Sequence, residues 1–399
     1  MQSHRLDALD GLRGIAIGLV LWFHLWQISW LDPHIRLGTI YIPFVYFPVA
    51  GFLGVELFFF ISAFCLSYPY VRAHFAGRSL PSVKHFAYRR FIKIVPSYVL
   101  SIVVVIALAA IPAMKASWGA NINWPNAGAA LFDLGAHLTF LHTYFEETYA
   151  SINGVLWTLG IEVQYYVIFP VLVLLLLRAP LSLTALMTAI AIVYRVRVGQ
   201  CCQTGVFDHN VDQLLGFFDY FAAGMFCAFA YEWLRLRAPR LASMQWLWTA
   251  LAIVGFVWIV LLFQRLEHLR REDHFAEWFV IRNGTFYALA ILLAGLGSLL
   301  AFPVWRRVLA NPVLVFLSVI SYNLYLWHQV VLRWIATWPL LRRGTLTHGD
   351  PLWEWTSTLC GLVVTIGIAS LVTYFFERPL LRMKPQELFR RRVEVAAPE

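Results

Sequence analysis

Residues 6–24 read "LDALDGLRGIAIGLVLWFH": two aspartates and an arginine, then the apolar decapeptide Gly14–Phe23, then a histidine. A run of this kind is long enough to enter hydrocarbon as a helix, and its histidine falls where lipid should be. The rest of the chain repeats the pattern. Of its 399 residues 60% are apolar, 16% aromatic and only 13% charged, a composition that excludes an ordinary water-soluble globule. Stretches of about 18 to 25 mainly apolar residues, each able to cross about 30 Å of hydrocarbon, recur near 12–31, 44–70, 94–113, 155–177 and 181–196. They continue near 213–234, 246–264, 281–303, 312–336 and 356–377. The expected fold is all-α, a polytopic transmembrane bundle of about ten spans, with 181–196 the shortest. Residues 128–145 are amphipathic and too polar for a span, so they predict a re-entrant or surface helix.

Cations sort to alternate loops. With ten spans and an inside N-terminus, most of the 31 Lys and Arg fall inside, among them Arg5 and Arg13, the 72–93 group, Arg235, Arg237 and Arg240. Arg306, Arg307 and the tail set Arg378, Arg382, Lys384 and Arg390–Arg392 fall on the same side. By the positive-inside rule both termini are expected to be cytoplasmic. The net charge of +9 then complements anionic membrane lipid, and no motif points to nucleic acid. No cleavable signal peptide is evident, because Asp7 and Asp10 precede the first apolar run. Five cysteines, Cys65, Cys201, Cys202, Cys227 and Cys360, have no zinc spacing, and no metal is expected. With no repeat, and with 71–93 and 114–154 too short for separate domains, 1–399 reads as one membrane domain without an appended soluble one.

Ionisable groups inside spans are functional candidates by default, since each is costly to insert. His24 lies eleven residues after Arg13, close to three helical turns, so both share one face about 16 Å apart. The blander reading is a histidine bonded to a neighbouring helix and an arginine that snorkels. "GVELFFFISAF" (54–64) sets Glu56 at the outer end of the second span, and "NGVLWTLGIEVQYYVIFP" (153–170) sets Glu162 and Gln164 in the first turns of the fourth. These carboxylates and His24 could share one cavity, although a lone glutamate is more often a cap. "YRRFIKIVPSY" (88–98) brings Arg89, Arg90 and Lys93 to a cytoplasmic mouth, as phosphate ligands or as topology signals. "ISYNLYLWHQ" (320–329) spaces Tyr322, Tyr325 and His328 by three, usual for packing, and "FFERP" (375–379) could merely end a helix at Glu377.

The ordered series "LDGLRGIAIGLVLWFH", "GVELFFFISAF", "RRFIKIVP", "LWTLGIEVQYYVIFP", "SYNLYLWH" and "ERP", spread over nearly the whole chain, resembles the acyltransferase-type-three family of membrane proteins. The resemblance implies a membrane domain of about ten helices that moves an acyl group, usually acetyl, from cytoplasmic acyl-CoA to a hydroxyl of a carbohydrate or similar acceptor. The family's arginine, ten residues, histidine falls on Arg13 and His24. Its tryptophan and motif carboxylate fall on Trp157 and Glu162, while its second glutamate is Val163 here. Its aspartate and glycine appear as Glu56 and Ala63, and its paired arginines as Arg90 and Lys93. Lysine lacks the bidentate fork, so Lys93 is the weaker phosphate ligand.

On this resemblance His24 is expected to be the general base, because a neutral imidazole can take a hydroxyl proton near neutral pH. Glu162 or Asp10 would orient the ring, Arg13, Arg89 and Arg90 would hold CoA phosphates, and Tyr325, His328, Glu56 and Trp157 are supporting or acceptor-side candidates. A variant route acylates His24 first. The rivals are a transporter of acyl donors or glycolipids without covalent chemistry, and a noncatalytic sensor or scaffold on the same fold. Release of free thiol from labelled donor separates the enzyme from both.

Overall fold

The computed structural model describes residues 7–111, 122, 124–201, 209–270, 275–336, 338 and 350–382. Arg5, Cys202, positions 112–113 and the cations Lys384 and Arg390–Arg392 lie outside the described residues. The long helices in chain order are α1 (Asp7–Ser29), α2 (Gly54–Phe75) and α3 (Val83–Ala109), followed by the shorter α4 (Ala127–Leu138). Then come α5 (Trp157–Arg178), α6 (Pro180–Cys201), α7 (Phe218–Arg237), α8 (Gln245–Leu269), α9 (Phe275–Leu300), α10 (Pro312–Ile335) and α11 (Pro351–Leu371). The last runs on through a π-turn, Val372–Glu377, into α12 (Arg378–Arg382). Among the described residues ten helices are long and apolar enough to cross a membrane, which makes this a multi-pass membrane protein.

The second membrane segment differs in detail from the run read at 44–70. A two-stranded hairpin, β1 (His34–Leu37) and β2 (Ile40–Pro43), turns at Gly38, whose φ of +61° suits a residue without Cβ. Two single turns, Tyr46–Val49 and Gly51–Leu53, precede α2. Pro43 and Pro48 lack the N–H that a continuous helix would use, so regular helix starts only at Gly54. The same chemistry starts helices cleanly elsewhere. Asn311 accepts from the N–H groups of Val313 and Leu314 with Pro312 in the first turn, and Asp350 with Pro351 does likewise for α11.

Helices α2 and α7 are the most enclosed, and α6, α8 and α11 the most outward-facing. The first helix packs along α10 and α2. Gly14 permits the approach to α10, where a Cβ would stand 2.3 Å from the Leu314 carbonyl oxygen, and Gly11 permits that of the short helix Pro303–Leu309 just before it, where a Cβ would stand 2.1 Å from the Leu309 carbonyl oxygen. Close approach at small residues is how helices associate where lipid removes the hydrophobic drive. Arg13 is thereby fixed between two backbone contacts. Across the bundle Arg195 of α6 pairs with Asp219 of α7 at 2.6 Å, and Thr285 of α9 donates to the same carboxylate at 2.9 Å. This buried pair ties three helices together, and each charge is satisfied by the other.

The segment 128–145, expected to be a surface or re-entrant helix, holds nearly all of α4 and the single turn His142–Tyr144, and a second single turn, Glu146–Tyr149, follows it. Asn126 caps α4 through the Ala129 N–H, 2.9 Å away. The helix buries Asp133, Ala136 and His137 and exposes Leu131, Phe132 and Leu138. Ser151, Trp124 and His137 all bond Asp133 at 2.7–3.0 Å. His142 stacks on His137 with ring centroids 4.2 Å apart. Burial opposes the Asp133 carboxylate, but those three donors outweigh it and hold its pKa below the usual range. Burial, then the neighbouring His137, pushes His142 down to about 3, so this imidazole is neutral.

Candidate active site

A cavity of about 680 Å³ opens between α1, α2, α3, α5, α10 and the π-turn. Its mouth is basic. Arg13 comes from the first turns of α1, Arg89, Arg90 and Lys93 from the first turns of α3, and Arg378 from the start of α12. Arg89 is exposed and Arg90 half-buried, so the positive charge runs from solvent inward. The Arg13 guanidinium reaches Cys65 Sγ at 3.7 Å, a weak contact that leaves most of its donors for something else. Arg90 lies 5.8 Å from the Tyr166 ring centroid, and its Nε is buried without a hydrogen bond.

Lys93 behaves differently from the arginines. Its ammonium is paired with Glu377, and Asn323 Nδ2 donates to the other carboxylate oxygen at 2.6 Å and to Thr373 Oγ1 at 2.9 Å. The π-turn makes this possible, because the extra residue per turn aims Glu377 inward at a point where α11 otherwise faces out. Glu377 therefore does more than end a helix: it neutralises one of the cations at the mouth.

Further in, Glu162 is held by two hydroxyls. Ser62 donates to it at 2.7 Å, and Tyr166, one turn along α5, donates to the same oxygen. Asp10 accepts from Ser318 at 3.3 Å. The inner end is closed by Thr158 and Tyr325, whose hydroxyls lie 2.9 Å apart. Beyond Tyr325 the rings continue, to His328 at 5.6 Å and from His328 to His24 at 4.7 Å between centroids. His328 Nδ1 faces the carbonyls of Leu324 and Tyr325 at 3.1 and 2.7 Å, so it carries the proton, and Nε2 is buried without a partner. His24 Nδ1 sits 2.9 Å from Gln27 Oε1, an arrangement that leaves Nε2 with the lone pair.

Of the residues read from sequence, Asp10, Arg13, Arg89, Arg90, Lys93, Glu162 and Tyr325 line this one cavity. His24 and His328 do not; they lie past its inner end as a ring pair. Glu56 is buried apart from it, its electrostatic neighbours being Asp212, Asp219 and Arg195. Trp157 packs between Tyr149 and Phe217 and supports the start of α5. The expected meeting of two carboxylates and a histidine in one space thus reduces to Glu162 in the cavity and His24 beyond it.

A family model described as an acyltransferase domain matches residues 6–374. The chain belongs to that family. Among curated proteins it is 24% identical over 346 residues to "Putative O-acetyltransferase SACOL0978" of Staphylococcus aureus strain COL, covering 84% of this chain and 52% of that protein. It is 23% identical over 348 residues to "O-acetyltransferase OatA" of Staphylococcus aureus strain NCTC 8325, covering 84% of this chain and 51% of that one. The chain spans about half the length of the curated relatives it matches. No solved structure matches it. This acyltransferase-domain chain also uses polar residues that sequence reasoning passed over: Ser62, Tyr166 and Thr158 at the cavity wall, Gln27 beside His24, and the Arg195–Asp219 pair. The four hydroxyl and amide groups belong to residue types too common in helices to stand out. Arg195 and Asp219 did carry a signal, as charges within apolar runs.

Proposed function

We propose that this chain is a membrane O-acyltransferase that moves an acyl group, in the first instance acetyl, from cytoplasmic acyl-CoA to a hydroxyl of a carbohydrate acceptor such as a cell-surface polysaccharide. The observation that carries the proposal is one cavity, basic at the mouth and hydroxyl-lined at its inner end, that finishes one ring short of the His328–His24 pair. The phosphates of CoA suit Arg13, Arg89 and Arg90, whose guanidinium forks match phosphate oxygens. The pantetheine arm then has room to run inward past Glu162 toward Tyr325. The mouth would face the cytoplasm of a bacterial inner membrane, which the sorting of Lys and Arg to that side supports.

In the chemical step His24 Nε2 takes the proton of the acceptor hydroxyl as its oxygen bonds to the thioester carbon. Negative charge gathers on the former carbonyl oxygen, and the Tyr325 and Thr158 hydroxyls are donors near enough to the path to stabilise it. Collapse breaks the carbon–sulfur bond, and the thiolate leaves with the proton that His24 had taken. Gln27 fixes the imidazole tautomer through Nδ1, the task a carboxylate performs in other histidine-based sites.

The test is purified full-length protein given CoA labelled in the acetyl group with a soluble oligosaccharide acceptor. Release of free thiol together with label in an ester bond is the expected result. Thiol release that persists undiminished in a folded His24→Ala protein would remove His24 from the mechanism, and label crossing a vesicle wall still bound to CoA would favour transport.

A further inference from the structure

A second cavity, about 450 Å³, lies at the end of the bundle between the last turn of α7, the α7–α8 connection, and the last turn of α9. It shares no lining residue with the first. Because successive spans alternate direction, it opens on the same membrane face as Arg13 and Arg89. Its polar lining is Tyr68, Tyr231, Arg235, Ser243, Gln245 and Arg306, set against an apolar wall from Leu299 and Leu300. The charges do not cancel. Glu232 lies 3.6 Å from Arg235 and accepts from Tyr68 at 3.3 Å, which offsets one guanidinium. Arg306 is exposed and has no carboxylate partner among the described residues. Trp233 and Trp246, both exposed, are close in sequence to the lining residues Arg235 and Gln245, and exposed indoles favour the headgroup level of a bilayer.

We infer that this pocket binds a phosphodiester group. One uncompensated guanidinium matches its single negative charge, Arg235, with its guanidinium carbon 5.3 Å from the Tyr231 ring centroid, supplies a second set of donors, and the Ser243 hydroxyl and Gln245 amide suit the ester or glycerol oxygens. Two sources present that chemistry on this face: the headgroup of an anionic lipid such as phosphatidylglycerol, whose first methylenes would lie along Leu299 and Leu300, and a soluble glycerophosphodiester. None of these residues belongs to the acyl-transfer cavity, so the inference does not depend on the proposed chemistry.

The experiment uses the full chain in nanodiscs and in detergent. Retention of phosphatidylglycerol over phosphatidylcholine, measured by native mass spectrometry, should be at least tenfold in the wild type and should fall to near parity in Arg235→Gln/Arg306→Gln. Arg306→Gln alone, a change at an exposed side chain, should give an intermediate loss without altering the melting midpoint, which keeps the result readable if the double variant folds poorly. Glycerophosphoglycerol forms the second arm. Displacement of bound lipid by the soluble diester shows that the phosphate is what the pocket recognises, and saturable binding of the diester in detergent, lost in Arg306→Gln, identifies a soluble ligand. Equal retention of the two lipids by the wild type with no diester binding, or selectivity unchanged in both variants, overturns the inference.

Discussion

Glu377→Gln should weaken the fold and strengthen donor binding at once. The carboxylate receives two charge-assisted hydrogen bonds, from the Lys93 ammonium and from Asn323 Nδ2, and its side chain is only 5% exposed against 33% for Lys93. Glutamine has one acceptor oxygen where the carboxylate has two, so one contact falls from a charge-assisted to a neutral-acceptor bond and the other is lost or needs the Asn323 amide to turn, at about 1 kcal/mol for each. The loss is therefore about 2 kcal/mol, below the ~4 kcal/mol that Coulomb's law allows at 4 Å near a protein surface. Lys93 at the same time loses its counter-charge beside Arg13 and Arg90 at the cavity mouth, where a further uncompensated cation should improve acyl-CoA affinity by about 1 kcal/mol, roughly fivefold. The assay pairs a thermal-unfolding midpoint with titration of acyl-CoA on the purified variant. Lys93→Met/Glu377→Gln supplies the control, since removing both charges should restore part of the stability and cancel the gain in affinity. A Glu377→Gln protein that binds acyl-CoA more weakly than the wild type would refute the reasoning, for Glu377 would then be a donor ligand and not a brake on Lys93.

His24→Ala should bind acyl-CoA normally and lose turnover by about 10²–10⁴-fold, the range for a missing general base, as read from single-turnover thiol release. Arg13→Lys should raise the donor concentration at half-maximal rate by ~1–3 kcal/mol equivalent, because the charge stays and the fork goes; unaltered acyl-CoA affinity in Arg13→Ala would end the phosphate role. Glu162→Gln should lower turnover with nearly unchanged donor affinity, since Ser62 and Tyr166 keep an acceptor of the same shape; collapse of acyl-CoA binding would move Glu162 to the donor site. Stability should also fall in acid through His142. Its folded pKa of about 3 lies below the ordinary 6.5, so the unfolded chain takes up a proton that the folded one refuses. The contribution is complete above pH 6.5 and declines by about 1.4 kcal/mol per pH unit as pH falls toward 3. His142→Phe should flatten that slope in melting curves between pH 6.5 and 4.5, and an unchanged slope would show that His142 is not the group responsible.

The spans were legible because hydrocarbon imposes one rule on every residue of a crossing helix, and ten apolar runs of sufficient length leave little else for the chain to do. What the periodicity could not deliver was register between helices. Arg13 and His24 share a helix face, yet one lines the cavity and the other lies beyond it, because Tyr325 and His328 of α10 enter between them. That interruption depends on Gly14 letting α10 approach, a contact over some three hundred residues of sequence. Glu377 reads as a helix terminator for the same reason: its inward aim comes from a π-turn, and one extra residue in a turn leaves no mark on composition. Glu56 was legible as a carboxylate within a span, but its surroundings come from Asp212, Asp219 and Arg195, far away in the chain.

The position of His24 constrains how the proposed reaction can run. A thioester that enters past Arg13 meets the Thr158–Tyr325 hydrogen bond before it meets an imidazole, and His328 stands behind that bond. If His24 is the base, donor and acceptor approach it from opposite ends, and Tyr325 must turn aside for the two to touch. Breaking the Thr158 bond costs on the order of 1 kcal/mol, small enough for a bound acyl arm to offset. The wall has a purpose in this reading. The Thr158–Tyr325 pair would then stand between the acceptor side and the thioester, and while it is bonded it would hinder water from that side and so limit hydrolysis until an acceptor hydroxyl is in place. Replacement of Tyr325 by Phe should then uncouple the two: thiol release from acyl-CoA without acceptor should rise relative to transfer, because the ring remains but its latch is gone. Tight coupling retained in Tyr325→Phe would mean that the barrier is the ring itself or His328, and that the hydroxyl pair serves only to stabilise the oxyanion.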